Sequence, residues 1–191
     1  MTQPATISTP PLAAGEYVLD PAHTHVGFVG RHLMVTRVRG TFGNVQAQIR
    51  VGESMATSAA TVTIDVASLK TGDERRDTHL RSGDFFDVEH YPTMTFRSTR
   101  VEHAGENRYA LTGDLTIRDQ TRPVTLEVEY GGTEKTPWGT RAAAISAAAE
   151  IDREDWGLTW NVALESGSWL VSRKIQLEIE TELVQAPAAQ S

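Results

Sequence analysis

Alternation of apolar and polar side chains with a period of two constrains this chain more than anything else in it. Val45, Ala47, Ile49 and Val51 interleave with Asn44, Gln46, Gln48 and Arg50; Ile175, Leu177, Ile179 and Leu183 interleave with Lys174, Gln176, Glu178, Glu180 and Glu182. Successive residues of a β-strand point to opposite faces, so each run is a strand with one wet and one apolar face. The pattern predicts strands over Tyr17–Asp20, His23–Leu33, Val38–Val51, Ala60–Leu69, Thr93–Glu102, Arg108–Arg118, Arg122–Gly131 and Val171–Val184. Ala142–Ile151 favours helix by propensity, but it stands among strands and its small residues suit a crowded sheet. It is read as strand.

Strands that follow one another through short turns, about eight in all, predict an antiparallel meander closed into a barrel. Closure removes the exposed edges that such long strands would present. Arg118-Asp119 is read as a tight turn, with Asp119 supplying left-handed geometry. One helix is expected near residues 74–82, because Asp73 can cap it and Gly83 can end it. The 191 residues suffice for a single domain, placed at 16–185. Residues 1–15, with Pro4, Pro10 and Pro11, are read as a flexible leader, and 186–191 as a tail.

The formal net charge of −7 excludes broad nucleic-acid binding, which needs a basic face. The absence of cysteine excludes disulfides, thiolate metal sites and cysteine nucleophiles. No export signal and no transmembrane run is visible, so a cytoplasmic protein is expected. No elbow, zinc-protease, phosphate-loop or dinucleotide motif appears, and no catalytic residue or cofactor is assigned.

One stretch stands apart from the strands. Arg75, Arg76, His79 and Arg81 crowd together just before Phe85-Phe86. On a helix Arg76 and His79 share a side, while Arg75 and Arg81 point elsewhere. A guanidinium matches an anionic head group through paired, charge-assisted hydrogen bonds. The same residues could equally form a solvated helix face. Phe28, Met34, Phe42, Phe85, Phe86, Met94 and Phe96 are candidates for the barrel lining, and pattern alone leaves open whether the barrel is filled or hollow. His32 shares the parity of Phe28 and is expected to face inward. His23 and His25 are read as strand-start residues and not as metal ligands; Asp152, Glu154 and Asp155 are read as surface acidity.

Tyr17-Val18-Leu19-Asp20 with His23, Arg31-His32-Leu33-Met34-Val35, Val38-Arg39-Gly40-Thr41-Phe42 and Arg76-Asp77-x-His79-Leu80-Arg81-Ser82 through Phe86-Asp87 resemble the YceI-like family. So do Tyr91-Pro92-x-Met94-Thr95-Phe96, Thr121-Arg122-Pro123-Val124-Thr125-Leu126, Pro137-Trp138-Gly139 and Ile151-x-Arg153-x-Asp155-Trp156-Gly157. The resemblance spans Tyr17 to Leu183. It implies a lipocalin-like, eight-stranded antiparallel barrel enclosing a tunnel for an isoprenoid lipid such as an isoprenoid quinone or a prenyl pyrophosphate. By that resemblance the tail would lie among Phe28, Met34, Phe42, Leu80, Phe85, Phe86, Met94 and Phe96, and the head near Arg76, His79 and Arg153. A homodimer is plausible on the same ground. The competing readings are a structural or stress-related dimer with a filled barrel and an external apolar patch, and an enzyme using His79 or His32 as general base.

Overall fold

The computed structural model describes residues 9–186. Eleven strand segments form one antiparallel sheet: β1 Gly15–Leu19, β2 His25–His32, β3 Thr36–Phe42, β4 Val45–Val51, β5 Ala59–Asp65, β6 Leu69–Lys70, β7 Thr93–His103, β8 Arg108–Ile117, β9 Gln120–Lys135, β10 Arg141–Asp152 and β11 Lys174–Gln185. Their order is β1-β4-β5-β7-β8-β9-β10-β11, and β1 pairs back onto β11 to close the ring. Each of those eight positions is one strand of the barrel. β2 continues β1 along β11, β3 pairs with β2, and β6 pairs with β3. The expected eight-stranded antiparallel barrel is therefore the observed one.

The first three strands break at a common level, and short polar side chains explain the breaks. Between β1 and β2, Pro21–His23 form a 3-10 turn, and the Asp20 carboxylate accepts the Ala22 N–H at 2.9 Å. Between β5 and β6, Val66–Ser68 form a second turn, capped in the same way by Asp65 on Ala67 N–H. Gly43 and Asn44 lie between β3 and β4 and donate to the carbonyl and the hydroxyl of Ser68. The unbroken strand expected over Val38–Val51 is thus two segments. In the β8–β9 turn the left-handed residue is Arg118, with φ 57°, and not Asp119.

The helix α1, Glu74–Arg81, starts where Asp73 accepts the Arg76 N–H at 2.9 Å. Asp77 is buried on its inner side and accepts from the backbone N–H and the hydroxyl of Thr71, which fixes the helix to the end of β6. The Ala-rich segment is strand β10, paired along its length with β11 and over much of it with β9. Ladder hydrogen bonds on both sides outweigh its local helix propensity.

Alternate residues of every wall strand point inward. Val66, Met94, Phe96, Leu115, Ile117, Val124, Ile151, Trp156 and Leu158 form one buried cluster; Tyr17, Val51, Ala143 and Leu183 form a second. Leu12 packs on the second cluster and the Tyr17 hydroxyl donates to Ala13 O at 2.9 Å. Within the expected leader, residues 1–8 lie outside the described residues, whereas the chain from Leu12 onward already packs against the barrel; of the expected tail, 187–191 lie outside them too. Among the described residues no helix is long and apolar enough to cross a membrane.

Candidate functional site

Two adjoining cavities occupy the barrel interior. The first, about 440 Å³, lies between α1, the β2–β3 hairpin and the segment after Trp156. The second, about 310 Å³, runs along the inner faces of β4, β5, β7, β8 and β9. Phe42, Met94, Ile117, Ile151 and Leu177 belong to both walls, so the cavities meet across those five side chains. Pro10, Pro11 and Leu12 stand at the wall of the second cavity.

Arginine and histidine residues collect almost entirely on the first cavity: Arg31, His32, Arg75, Arg76, His79 and Arg153. The second is walled by side chains such as Val62, Phe96, Leu111 and Leu126, with Arg50 at its margin. Arg31, His32 and Arg75 are exposed, so the first cavity reaches solvent at that end.

Arg153 begins the 3-10 turn Arg153–Trp156 directly after β10 and is 4% exposed. Its Nε donates to Ser172 O at 2.9 Å and its Nη1 to Leu158 O, while Nη2 has no protein acceptor. The guanidinium carbon lies 5.8 Å from the centroid of the Phe85 ring. Burial pulls its pKa below the ordinary value, with the charges of Glu154 and Asp152 acting in the opposite direction. An unpaired, buried N–H on a cavity wall favours an oxygen acceptor from whatever enters.

Arg76 is half-buried. Its Nε donates to Thr71 Oγ1 at 2.7 Å and its Nη2 to Thr71 O at 3.1 Å, and the residue lines the first cavity. His79 Nε2 lies 2.7 Å from Asp84 Oδ2. Its ring meets Phe85 and Trp160 edge-on, at centroid distances of 5.2 and 4.5 Å. The structure brings Arg76, His79 and Arg153 to one cavity. Arg75 joins them, contrary to the helical-face argument, whereas Arg81 turns to Leu69 O and Glu74.

Of the expected lining, Phe28, Phe42, Leu80, Phe85, Phe86 and Met94 face the first cavity, and Phe42, Met94 and Phe96 the second. Met34 does not line either. It sits at the tip of the β2–β3 hairpin with φ 60°, 48% exposed, because the strand parity that would turn it inward ends at His32. His32 does reach the first cavity. Sequence reasoning missed Trp160, Leu158 and Leu170, which line the first cavity from a segment without alternation.

Outside the barrel, Asp20, His23 and Glu182 bring ligand-type atoms within 4.8 Å of one another. The Asp20–His23 pair at 2.9 Å closes the first 3-10 turn, and this group shares no wall with either cavity.

The sequence model of the YceI-like domain matches residues 17–183. A UPF0312 protein of Staphylococcus aureus strain N315 is 34% identical over 168 residues, covering 87% of this chain and 95% of the relative. Among solved structures, BcnA of Burkholderia cenocepacia aligns with a TM-score of 0.73 at 26% identity, over 86% of this chain and 98% of that one. The Campylobacter jejuni YceI protein aligns with a TM-score of 0.70 at 31% identity, over 82% and 90%. Agreement over nearly the whole barrel, in sequence and in fold, places the chain in the YceI-like family.

Proposed function

We propose that this protein binds an amphiphilic isoprenoid lipid without transforming it, with the tail threaded through both cavities as one tunnel and the head held beside Arg153 and Arg76. The observation that carries this reading is the segregation of chemistry along the interior: the cationic side chains gather at one end, and the wall beyond them is apolar. An isoprenoid quinone or a prenyl pyrophosphate has the same division. Each buried methylene-sized group contributes about 0.8 kcal/mol. Roughly ten of them match the ~8 kcal/mol of a micromolar complex before the cost of association.

Specificity then comes from tunnel length and from one oxygen acceptor at Arg153 Nη2. The cavities count against a filled barrel. They also come from one chain, so the reading needs no homodimer. A polyisoprenoid binding domain from Saccharophagus degradans shares the fold, with a TM-score of 0.63 at 17% identity, which supports the capacity of such a barrel for a long chain.

Native mass spectrometry of the purified protein, followed by organic extraction, tests the reading. An added mass that extracts as a prenyl lipid supports it. A protein that is empty and takes up no prenyl lipid from ethanol or detergent overturns it.

A further inference from the structure

We infer that the cavity mouth docks on an anionic lipid bilayer, using the β2–β3 hairpin tip and the neighbouring 161–171 hairpin as an apolar foot within a cationic rim. The inference rests on the lipid-binding reading above only for its purpose; the docking surface itself stands on geometry.

Six large apolar side chains are prominently exposed among the described residues, and five of them gather here: Leu33, Met34, Val35, Val162 and Trp169, between 43 and 77% exposed. Leu33 and Met34 take left-handed backbone angles, φ 52° and 60°, which form the tip that presents Val35. The second hairpin is tied to the first: Leu33 N–H donates to Leu170 O at 2.8 Å, and His32 bridges Val171. Leu170 N–H donates to Val162 O, and Asn161 fixes Val171 through both its side-chain atoms. The apolar residues are therefore held together and are not scattered at random over the surface. Contiguous exposed apolar surface of this kind marks an interaction site.

Charge selects the partner. The chain carries a net charge of −7, yet no Asp or Glu occurs between Asp20 and Glu53. On β3, Arg37 and Arg39 flank Val38, which lines the cavity, so they take the outward face; Arg31, the ladder partner of Arg37, stands at the edge of the mouth. None of Arg31, Arg37, Arg39 and Arg75 makes an ion pair among the described residues. The acidic residues of these elements are Glu165, in the turn of the second hairpin, Asp73 and Glu74, at the start of α1, and Asp77, which is buried and turned to Thr71. The outer faces of β9 and β11 carry Glu127, Glu129, Glu178 and Glu180 instead. A bilayer with anionic headgroups attracts the arginine rim and repels that acidic wall, which orients the molecule mouth-down. Trp169 and the aliphatic tip suit the boundary between headgroups and acyl chains. The same end bears the opening of the first cavity, through Arg31 and His32.

The test is flotation of the full chain with vesicles of phosphatidylcholine alone or of phosphatidylcholine and phosphatidylglycerol in equal parts. Binding is expected on the anionic vesicles, weaker on the zwitterionic ones, and reduced by salt. Arg37→Gln with Arg39→Gln should weaken anionic-vesicle binding by about thirtyfold, taking about 1 kcal/mol for each arginine. Val35→Asp with Trp169→Ser should abolish it. In both variants uptake of a prenyl lipid added in detergent should match the wild type, because none of these four side chains lines a cavity. Failure of uptake by the wild type would overturn the lipid-binding reading and leave docking standing on the vesicle result. No flotation with anionic vesicles, or flotation unchanged in both variants, overturns the docking; a wild-type protein that ignores vesicles but captures an acidic soluble protein through the same residues points to a protein partner and also overturns it.

Discussion

The guanidinium of Arg153 lies beside the ring of Phe85, 5.8 Å from its centroid, joining the end of β10 to the loop after α1. Both side chains line the first cavity, and Arg153 holds the carbonyls of Ser172 and Leu158 at the same time. One residue thus braces the cavity's open end and keeps one buried N–H without a protein acceptor.

Replacing that residue separates the two roles. Arg153→Met strands two carbonyls and should cost roughly 2–4 kcal/mol of stability, visible as a lower melting temperature, and it should weaken binding of a prenyl pyrophosphate. Arg153→Lys keeps the charge but not the forked donors, so it should recover part of the head-group affinity. Equal affinity in all three proteins would remove Arg153 from the site.

Gly40 sits opposite Phe28 on β3, where any Cβ would overlap the Phe28 ring. Gly40→Ala should push that ring into the first cavity, at a stability cost of about 1–3 kcal/mol. Lipid capacity should fall by more than stability alone explains, which titration of the folded variant at low temperature would resolve. Retained capacity would mean that the space beside Phe28 is not used.

In the proposed arrangement the second cavity limits the length of tail that can be bound. Ala147 faces it from β10, paired with Ile179 and Val128, and Ala147→Phe should fill part of that space. Loss of room for about two methylene-sized groups predicts roughly tenfold weaker binding of long prenyl chains. Chains short enough to stop at the shared wall of Met94 and Ile117 should be unaffected. Uniform weakening across chain lengths would contradict the threaded arrangement.

The Asp20–His23 turn gives a pH dependence independent of the cavity. The hydrogen bond to Asp20, then the charge of Glu182, raises the His23 pKa above its ordinary 6.5; the same hydrogen bond lowers that of Asp20 below 3.8. The His23 contribution is complete below 6.5 and is lost as pH rises through its elevated folded value. The Asp20 contribution is complete above 3.8 and is lost as pH falls through its depressed folded value. His23→Gln should therefore narrow the difference in melting temperature between mildly acidic and mildly alkaline buffer. NMR titration should place the His23 midpoint above 6.5, and a midpoint at or below that value would contradict the pairing.

The barrel was legible because Val45-x-Ala47-x-Ile49-x-Val51 and its counterparts repeat at the pleat of a strand. Even Ala-rich β10 followed from its neighbours. The common-level breaks were not legible, since a turn capped by Asp20 or Asp65 looks like a continuing strand when only polarity is counted. In the site, Phe28, Met94 and Phe96 could be placed from parity, whereas Phe42 has the parity of Gln46 and Gln48 in an unbroken Val38–Val51 strand and faces inward only because the break at Gly43-Asn44 shifts the phase. Met34 could not, because parity ends at a hairpin tip. Trp160 lay hidden in a segment held by Asn161 and by bridges to Trp169 and His32, where no period exists to read. Arg153 entered only through family resemblance, and its burial depends on carbonyls 5 and 19 residues away in sequence.

Photo-cross-linking with a prenyl lipid that carries a diazirine at the end of its tail tests the threaded arrangement most directly. Mass-spectrometric mapping should find the adducts on side chains of the second cavity, such as Val62, Phe96, Leu111 and Leu126, and unlabelled lipid should compete them away. Adducts confined to exposed residues such as Trp138, or unaffected by competitor, would show that the tail stays outside the barrel and would contradict the proposed function.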